Sequence, residues 1–316
     1  MITYNHEPYI AQAIEGVLMQ ETDFPVELVI GEDCSTDNTR KICEDYASKF
    51  PEKIRLLESE SNLGIVPNLL RTIENCKGSY MSFCEGDDYW IAKDKLLRQV
   101  AFLESNRNFS GVCSAARRLY QQTGAMENDR LFSTLSEGDF LDLTPKELVS
   151  EFMVYTPSLL IRKSCLPLEN LFGLSFADKF IQLLVSSSGP IRYFNRLEVV
   201  YRIHLGGAMH TLIPANPELF FNDYCGFLEA FNADTDYKYT EVIGEARKRL
   251  YRLGVLSKPS TSILQKSRKI LELTKDDVAN GRQLKEVRNY CSLAFPWLRA
   301  LFRSSKSLVG RGGRIK

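Results

Sequence analysis

The first third of the chain alternates short apolar runs with segments whose apolar residues repeat at helical spacing. Residues 8–19, for example, place Ile10, Ala13, Ile14 and Val17 along one face of a helix. The short apolar runs between such segments are typical of buried strands. We expect strands at 2–4, 26–30, 53–57 and 80–84, and helices at 8–19, 35–50, 66–76 and 95–104. The alternation predicts an α/β fold in which a mostly parallel sheet is flanked by helices.

One edge of this predicted sheet collects polar residues. Ligands bind beyond the carboxyl ends of strands in such folds, and residues 3–5, 32–35 and 85–88 fall there. The segment Glu85-Gly-Asp-Asp88 carries three carboxyl groups, whose repulsion raises their pKa values unless a positive charge lies among them. Mg²⁺ or Mn²⁺ would supply that charge and leave coordination positions for phosphate. The alternative is a solvated turn that caps a helix.

A second acidic segment, residues 32–37, follows the predicted strand at 26–30. Asp33 could accept hydrogen bonds from a nucleobase or from ribose hydroxyls, as acidic residues do in other nucleotide-binding folds. Acidic residues also occur at helix N-termini for electrostatic reasons alone, and this alternative stays open. The glycine-rich phosphate-binding motifs of P-loop and dinucleotide-binding proteins are missing from the sequence.

Composition excludes several other classes of protein. The 40 basic and 40 acidic residues cancel, so no overall charge attracts nucleic acid. No apolar run approaches the roughly 18–20 residues of a membrane span. The first residues lack a signal-peptide pattern, so we expect a cytoplasmic protein. The 8 cysteines show no Cys-x-x-Cys spacing, which favours reduced core thiols over zinc sites or disulfides.

Four segments, in order, resemble the motifs of family 2 glycosyltransferases, which are inverting, nucleotide-sugar-dependent enzymes of the GT-A fold. The segments are Thr3-Tyr-Asn-His6, residues 29–39, Asn62-Leu-Gly64 and Cys84-Glu-Gly-Asp-Asp-Tyr-Trp90. The resemblance extends over residues 1–210. It implies a GT-A-type sheet flanked by helices, followed here by a helical C-terminal extension.

The resemblance also implies roles for individual residues. Nucleoside and donor contacts would come from Thr3, Asn5, Glu32, Asp33, Asp88 and Arg202. Glu85-Gly-Asp87 would be the Asp-x-Asp-type element that binds Mg²⁺ or Mn²⁺, with Asp87 the main ligand and Glu85 and His204 as further ligands. Glu85 and Glu32 stand where aspartate is more usual, and each reaches one carbon further.

The second half of the chain would supply the catalytic base. Asp178 opens a predicted helix at the position where the family carries an acidic residue, although Lys179 stands where an aromatic residue is common. Tyr201-Arg-Ile-His204 is similar to the family's closing segment, so Arg202 or His204 would meet the diphosphate or the metal. The alternatives are a helix cap for Asp178 and a hydrogen-bonded histidine at a strand end for His204.

The predicted domains are a GT-A domain at 1–215, with a nucleotide-sugar half at 1–110 and an acceptor half at 111–215, then a helical extension at 216–289 and a tail at 290–316. The tail has 6 basic residues and no acidic one, interleaved with Trp, Phe and Leu. This pattern suits an interfacial helix on an anionic membrane leaflet, where it would meet lipid-linked acceptors. A helix packed on its own domain is the alternative.

The leading hypothesis is therefore a metal-dependent inverting glycosyltransferase of surface polysaccharide or lipopolysaccharide biosynthesis. A UDP-sugar is the default donor, and the acceptor is a glycan or a lipid-linked glycan. A nucleotidyltransferase is a second hypothesis, but residues 1–20 contain no Lys or Arg and no glycine before Gly16. A degenerate scaffold or glycan-binding subunit is a third, which Lys179 favours and the retained acidic residues oppose.

Overall fold

A computed structural model of the chain describes residues 1–129, 132–150, 154–171, 177–207 and 217–247. The chain divides into two compact units, the first formed by Met1–Asn216 and Gly226–Ile243, and the second by Pro217–Cys225 and Gly244–Lys316. Both sheets belong to the first unit. The predicted tail at 290–316 and most of the predicted helical extension lie outside the described residues, so both stay predictions.

Three parallel strands form the first sheet, in the order β1-β2-β3. They are β1 (Ile2–Thr3), β2 (Leu28–Glu32) and β3 (Ile54–Leu57). The connecting helices are α1 (Ile10–Leu18) and α2 (Thr39–Lys49), and α3 (Ile65–Glu74) follows β3. Every residue of β2 is buried, which explains the continuous apolar run at residues 28–30. Residues 1–74 have the parallel α/β arrangement that their periodicity predicts, whereas the fourth predicted strand, at 80–84, lies in the second sheet.

The second sheet has seven strands of mixed direction. Its strands are β4 (Tyr80–Ser82), β5 (Tyr89–Trp90), β6 (Gly111–Tyr120), β7 (Ala125–Asn128), β8 (Phe140–Leu143), β9 (Leu160–Arg162) and β10 (Ile191–Ile203). The order is β4-β9-β6-β10-β5, with β7 beside β6 and β8 beside β10. Only β6 and β10 pair in parallel, so the expected parallel arrangement does not extend to this sheet.

A short connection explains the antiparallel pairing of β6 and β7. Strands β6 and β7 are joined by a four-residue turn at 121–124, which antiparallel strands allow and parallel strands do not. We expected residues 121–143 to be loop-rich because they are polar. They contain β7 and β8, which are only four residues long and mostly exposed, so neither is a buried apolar run.

Further α-helices whose bounds lie within the described residues are α4 (Lys95–Ser105), α5 (Pro145–Ser150), α6 (Asp178–Ser187) and α7 (Pro217–Asp234). Helix α6 has the start that the sequence predicts, which places Asp178 in its first turn. No described helix combines enough length with enough apolar residues to span a membrane.

The core beneath the first sheet holds the site in place. Ile10 and Ile14 of α1 are fully buried, and each contributes about 1.5–3 kcal/mol to stability. Gly16 lets β5 approach α1 closely, because a Cβ atom there would lie 2.9 Å from the backbone nitrogen of Trp90. The Trp90 indole in turn donates a hydrogen bond to the Pro157 carbonyl at 2.9 Å. These contacts fix the carboxyl end of the loop that carries the acidic residues.

Candidate active site

Residues 85–88 form the acidic loop, and Gly86 lets this loop lie against the end of β1. The backbone N–H of Gly86 donates to the carbonyl of Ile2 at 3.0 Å. A Cβ atom on Gly86 would lie 2.7 Å from the Thr3 Cβ and 2.9 Å from the His6 Nδ1. Because real Cβ atoms do not approach other atoms so closely, only glycine allows this meeting of the loop and the strand.

Asp87 lies between two histidines. Its Oδ2 atom is 3.0 Å from the Nε2 of His204 and 3.8 Å from the Nε2 of His6. The three ligand atoms all lie within 4.8 Å of one another. Burial opposes ionisation of Asp87, but the hydrogen bond from His204 and the electrostatic influence of the two neighbouring imidazoles outweigh it and lower the pKa of Asp87. Asp87 is therefore a carboxylate at neutral pH.

The sequence predicts Asp87 and His204 as metal ligands, but His6 was not among the predicted ligands. The one sequence feature that pointed to His6 was its place in the first motif, at the sheet edge. In the structure Thr3 Oγ1 lies 3.2 Å from the Nδ1 of His6, and the Tyr9 ring lies 4.8 Å from the His204 ring, between centroids. Burial lowers the pKa of His6, and Asp87 opposes that change. His6 is therefore a neutral imidazole at pH 7.

Glu85 has a carboxyl oxygen that is buried without a partner in the described part of the chain. Within the described residues, no group forms a hydrogen bond with its buried Oε2 atom. Burial and the negative charges of Asp178 and Asp87 raise the pKa of Glu85 to about 8. A divalent cation would relieve this repulsion, so the donor set of carboxylate and imidazole groups fits Mg²⁺ or Mn²⁺.

Asp178 reaches the acidic loop from the distant helix α6. Asp178 keeps a solvent-exposed surface, although protein atoms surround its carboxyl group. This burial raises the pKa of Asp178, the charge of Asp87 raises it further, and a hydrogen bond from the Thr156 side chain lowers it. Ala177 occupies the N-cap position of α6, and among the described residues no side chain caps that helix. The geometry therefore does not support the helix-cap alternative for Asp178.

Hydrogen bonds of Arg202 and Asp88 hold the acidic loop in place. The backbone N–H of Arg202 donates to the Asp88 carboxylate at 2.7 Å, and its Nε donates to the Asp87 carbonyl at 2.7 Å. The two terminal guanidinium nitrogens donate to Gln121 at 2.6 Å and to Gln12 at 2.7 Å. Every guanidinium nitrogen thus has a protein partner. The donor contacts predicted for Arg202 and Asp88 stay predictions.

Burial, together with the charges of Asp87 and Glu85, raises the pKa of Asp88 well above its usual range. Asp88 therefore binds a proton more readily than an ordinary aspartate does, although its hydrogen bond with Arg202 opposes this effect. A second group that favours the neutral form reduces the repulsion around Asp87.

Asn5 and Glu32 shape the loop that follows β2. Asn5 adopts a φ of 55°, and its backbone N–H donates to the Ser35 hydroxyl at 2.9 Å. Its side-chain oxygen accepts the backbone N–H of Thr36 at 2.8 Å. The Glu32 carboxylate accepts the backbone N–H of Ser35 at 2.7 Å. These bonds tie the end of β1 to the end of β2, as the sequence pattern predicts.

Asp33 joins this loop to the Asn62-Leu-Gly64 turn. One carboxylate oxygen accepts the backbone N–H of Leu63 at 2.8 Å, and the other accepts that of Gly64 at 2.9 Å. The Asn62 amide donates back to the Asp33 carbonyl at 3.1 Å. Two separate motifs of the sequence therefore form one structural unit at the sheet edge. The nucleoside contact predicted for Asp33 stays a prediction.

The match to a protein family lies in the amino-terminal half of the chain. Residues 1–166 match the family model described as Glycosyl transferase family 2, which is more than half of the 316 residues. The chain belongs to glycosyl transferase family 2. The resemblance predicted from the four sequence segments is therefore confirmed.

This family member is similar in sequence to proteins from several bacteria. It is 31% identical over 210 residues to Rv1520 of Mycobacterium tuberculosis, an alignment that covers 66% of this chain and 59% of Rv1520. The chain thus spans less than two thirds of that relative's length. It is 34% identical over 109 residues to the poly(ribitol-phosphate) beta-N-acetylglucosaminyltransferase TarS of Staphylococcus aureus, covering 34% of this chain and 18% of TarS.

Solved structures share its architecture. A crystal structure of residues 1–349 of TarS matches with a TM-score of 0.60 at 18% identity, covering 97% of this chain and 85% of that one. The mannosyltransferase PcManGT of Pyrobaculum calidifontis, in complex with GDP-Man and Mn²⁺, matches with a TM-score of 0.56 at 16% identity, covering 93% and 82%. These similarities confirm the GT-A fold.

In this GT-A chain the predicted site residues separate into two groups. Thr3, Glu85, Asp87, Asp178 and His204 gather at the sheet edge, where their carboxylate, imidazole and hydroxyl groups influence one another. The carboxylates of Glu32, Asp33 and Asp88 and the guanidinium of Arg202 bond to the surrounding loops. The second group positions the first, which the sequence pattern alone does not reveal.

Proposed function

We propose that this family member is an inverting glycosyltransferase that uses a divalent cation and moves a sugar from a nucleotide-sugar donor to a hydroxyl acceptor. The observation that carries the proposal is the approach of Asp178 to the acidic loop. Asp178 raises the pKa of Glu85, and Asp87 raises that of Asp178, so the three carboxyl groups lie close enough to interact. In this proposal Asp178 would be the base, close to the residues that would bind the donor diphosphate.

At the donor side, Asp87 and His204 would hold Mg²⁺ or Mn²⁺, and Glu85 is a further ligand in this proposal. The bound cation would neutralise the charge that develops on the leaving diphosphate. Thr3, Asn5 and Asp33 would line the nucleoside pocket, with Glu32 behind them. Arg202 and Asp88 would hold the loop that presents Asp87 in the required orientation.

At the acceptor side, Asp178 would remove the proton from the attacking hydroxyl group. Its raised pKa makes it a better proton acceptor than an ordinary aspartate. The hydroxyl would attack the anomeric carbon from the face opposite the diphosphate, which inverts the configuration in one displacement. Holding both substrates in line would supply about 7–11 kcal/mol of the rate enhancement.

A UDP-sugar is the proposed donor. Crystal structures of TarS contain UDP or UDP-GlcNAc, and PcManGT was solved with GDP-Man, so both nucleotide classes occur among proteins of this fold. Family membership favours glycosyl transfer over the nucleotidyl transfer considered from the sequence. The catalytically degenerate scaffold is the second candidate, since Lys179 departs from the family pattern.

Surface polysaccharide biosynthesis is the proposed role, because TarS and other relatives are named for enzymes that build such polymers. The acceptor would then be a glycan or a lipid-linked glycan. We further propose that residues 290–316 bind an anionic leaflet, which rests on their basic and aromatic sequence. Deleting these residues should abolish binding to anionic vesicles and spare donor hydrolysis. Undiminished vesicle binding would contradict this part of the proposal.

Calorimetric titration tests the donor site directly. UDP, GDP and dTDP are titrated into the protein with and without Mn²⁺, using wild type, Asp87→Ala and Asp45→Ala. Asp45 is exposed on helix α2, so its variant is a matched control for the loss of one carboxylate. We expect metal-dependent binding of one nucleotide, lost in Asp87→Ala and kept in Asp45→Ala.

Activity separates the enzyme from the scaffold. Asp178→Asn should keep nucleotide binding and lose sugar transfer, because the amide cannot accept the proton. The anomeric configuration of the product, read by NMR, should be opposite to that of the donor. A wild-type protein that binds the nucleotide but neither transfers the sugar nor hydrolyses the donor would favour the scaffold. A product with the same anomeric configuration as the donor would refute the single displacement.

A further inference from the structure

His6 lies beside the Asp87–His204 pair and outside the ligand set that the sequence predicts. The Nε2 atom of His6 is 3.8 Å from the Asp87 Oδ2, and the Nε2 of His204 is 3.0 Å from that same oxygen. All three atoms lie within 4.8 Å of one another. Segments from the start, the middle and the end of the sheet domain therefore present three potential ligand atoms to one point.

These separations suit a single ion. Ligand atoms about 2.1 Å from a divalent cation lie roughly 3.0 Å apart at right angles and roughly 4.2 Å apart when opposite. The two distances to the Asp87 oxygen fall between these limits. Side-chain shifts of less than about 1 Å would therefore place all three atoms around one cation.

The surroundings of His6 orient its ring for binding. The Thr3 hydroxyl lies 3.2 Å from Nδ1, so that nitrogen can donate its proton to Thr3 and leave the lone pair of Nε2 free. The Tyr9 ring packs against both imidazoles, with centroids 6.4 Å from His6 and 4.8 Å from His204. A hydrogen-bonded second nitrogen and a packed ring are the usual supports of a metal-binding histidine.

We propose that His6 is a third protein ligand to the cation and that the two imidazoles make the site prefer Mn²⁺, or another first-row transition-metal ion, over Mg²⁺. This inference rests on the proposed function and deepens it. Mg²⁺ is a hard ion that favours oxygen ligands, whereas nitrogen ligands bind the transition-metal ions more strongly. Oxygen ligands alone would not distinguish the two metals.

Metal titration of His6→Gln tests the proposal without any assay of activity. The substitution should not disturb folding, because the fold uses the backbone of His6: its N–H donates to the Thr39 hydroxyl at 2.8 Å and its carbonyl accepts the N–H of Tyr9 at 2.8 Å. We expect Mn²⁺ affinity to fall by at least about tenfold while Mg²⁺ affinity changes little. Pulsed EPR of bound Mn²⁺ should show two coupled nitrogen ligands in wild type and one in the variant.

Two further comparisons control the experiment. Tyr9→Phe keeps the aromatic packing against both histidines and removes no ligand atom, so its Mn²⁺ affinity should equal that of wild type. Thr3→Val removes the hydroxyl group that orients His6, whereas Thr3→Ser keeps it. We expect weaker Mn²⁺ binding in Thr3→Val alone, and this pair tests the proposal even if His6→Gln does not fold.

The outcomes distinguish this inference from the proposed function. Unchanged Mn²⁺ affinity and nitrogen coupling in His6→Gln would overturn the role of His6, while sugar transfer by the wild type would still support the proposed function. A wild-type site that binds Mg²⁺ as tightly as Mn²⁺ would overturn the metal preference. A wild-type protein that binds Mn²⁺ through two imidazoles but transfers no sugar would support the metal site and refute the proposed function.

Discussion

A buried lysine beneath the second sheet offers a quantitative test of the structure. Lys95 is fully buried, and its Nζ atom donates to the Ser82 hydroxyl at 2.9 Å and to the Gln99 side chain at 3.0 Å. The charge also lies 4.2 Å from the centre of the Trp90 ring. Burial lowers the pKa of Lys95 from 10.5 to about 8, although the nearby Glu198 opposes this shift.

The sign of the pH effect follows from proton binding. Between pH 8 and 10.5 the unfolded chain keeps its proton on Lys95 and the folded protein releases it. Raising the pH through this range therefore stabilises the folded state. The free energy of unfolding contributed by this group should rise by about 3 kcal/mol across the range, because one pH unit corresponds to about 1.4 kcal/mol. Below pH 8 the full penalty of burying the charge is present.

Urea unfolding of wild type and Lys95→Met at several pH values measures this contribution. Methionine matches the length of the lysine stem and carries no charge. Subtracting the two free energies of unfolding cancels the titration of all other groups that the substitution leaves undisturbed. The difference, wild type minus variant, should rise by about 3 kcal/mol from pH 8 to 10.5.

Lys93→Met is the matched control. Lys93 lies two residues away, is 66% exposed in its side chain and pairs with Glu21 on the surface. The corresponding difference for Lys93 should show no comparable rise, because its pKa is raised rather than lowered. A difference curve for Lys95→Met that is flat across this range would refute the argument that burial has lowered the pKa of Lys95.

Three further predictions concern the site. Gly86→Ala should lower the free energy of unfolding by about 1–3 kcal/mol and weaken Mn²⁺ binding, because the new methyl group would meet Thr3. Urea unfolding measures the first effect and calorimetry the second. Undiminished Mn²⁺ binding would contradict the close contact between Gly86 and Thr3. Arg202→Lys should destabilise the protein by about 1–3 kcal/mol through lost hydrogen bonds to the acidic loop and two glutamines; thermal or urea unfolding checks this, and wild-type stability would contradict it. The kcat of sugar transfer should fall on acidification at a pH above the ordinary pKa of aspartate, because the pKa of Asp178 is raised and the base must be unprotonated; a pH–rate profile that stays flat down to about pH 4 would refute the assignment.

Local sequence pattern was sufficient wherever an element is buried along its length. Helix α6 begins at Asp178 as predicted, because its apolar residues repeat at helical spacing. The edge of the first sheet was predictable because parallel strands end on the same side. Strands β7 and β8 were missed, because each has only four residues and neither forms a buried apolar run. The sequence predicts a strand at 199–203, but β10 begins already at Ile191, because the first half of this strand mixes charged and apolar residues.

The candidate site shows where sequence reasoning stops. Motif order was enough to predict Asp87, Asp178 and His204 as site residues, and their chemistry follows from their side chains. The part played by His6 was not predictable, since its distance to Asp87 depends on how closely Gly86 lets two segments approach. The sequence also did not reveal the partners of the Arg202 guanidinium, which are the Asp87 carbonyl, Gln121 and Gln12, whereas its predicted contact with the diphosphate or the metal stays a prediction.

The sequence by itself determined the family, the α/β architecture and the residues able to bind a cation and accept a proton. It did so because periodicity and short motifs depend on neighbours along the chain. Tertiary structure alone decided which of these residues share a site and which support it. His6, Asp87 and His204 meet only because a parallel sheet, a glycine contact and the register of β10 bring distant segments within a few ångströms. Those long-range contacts also set the burial that shifts the pKa values of Glu85 and Asp178.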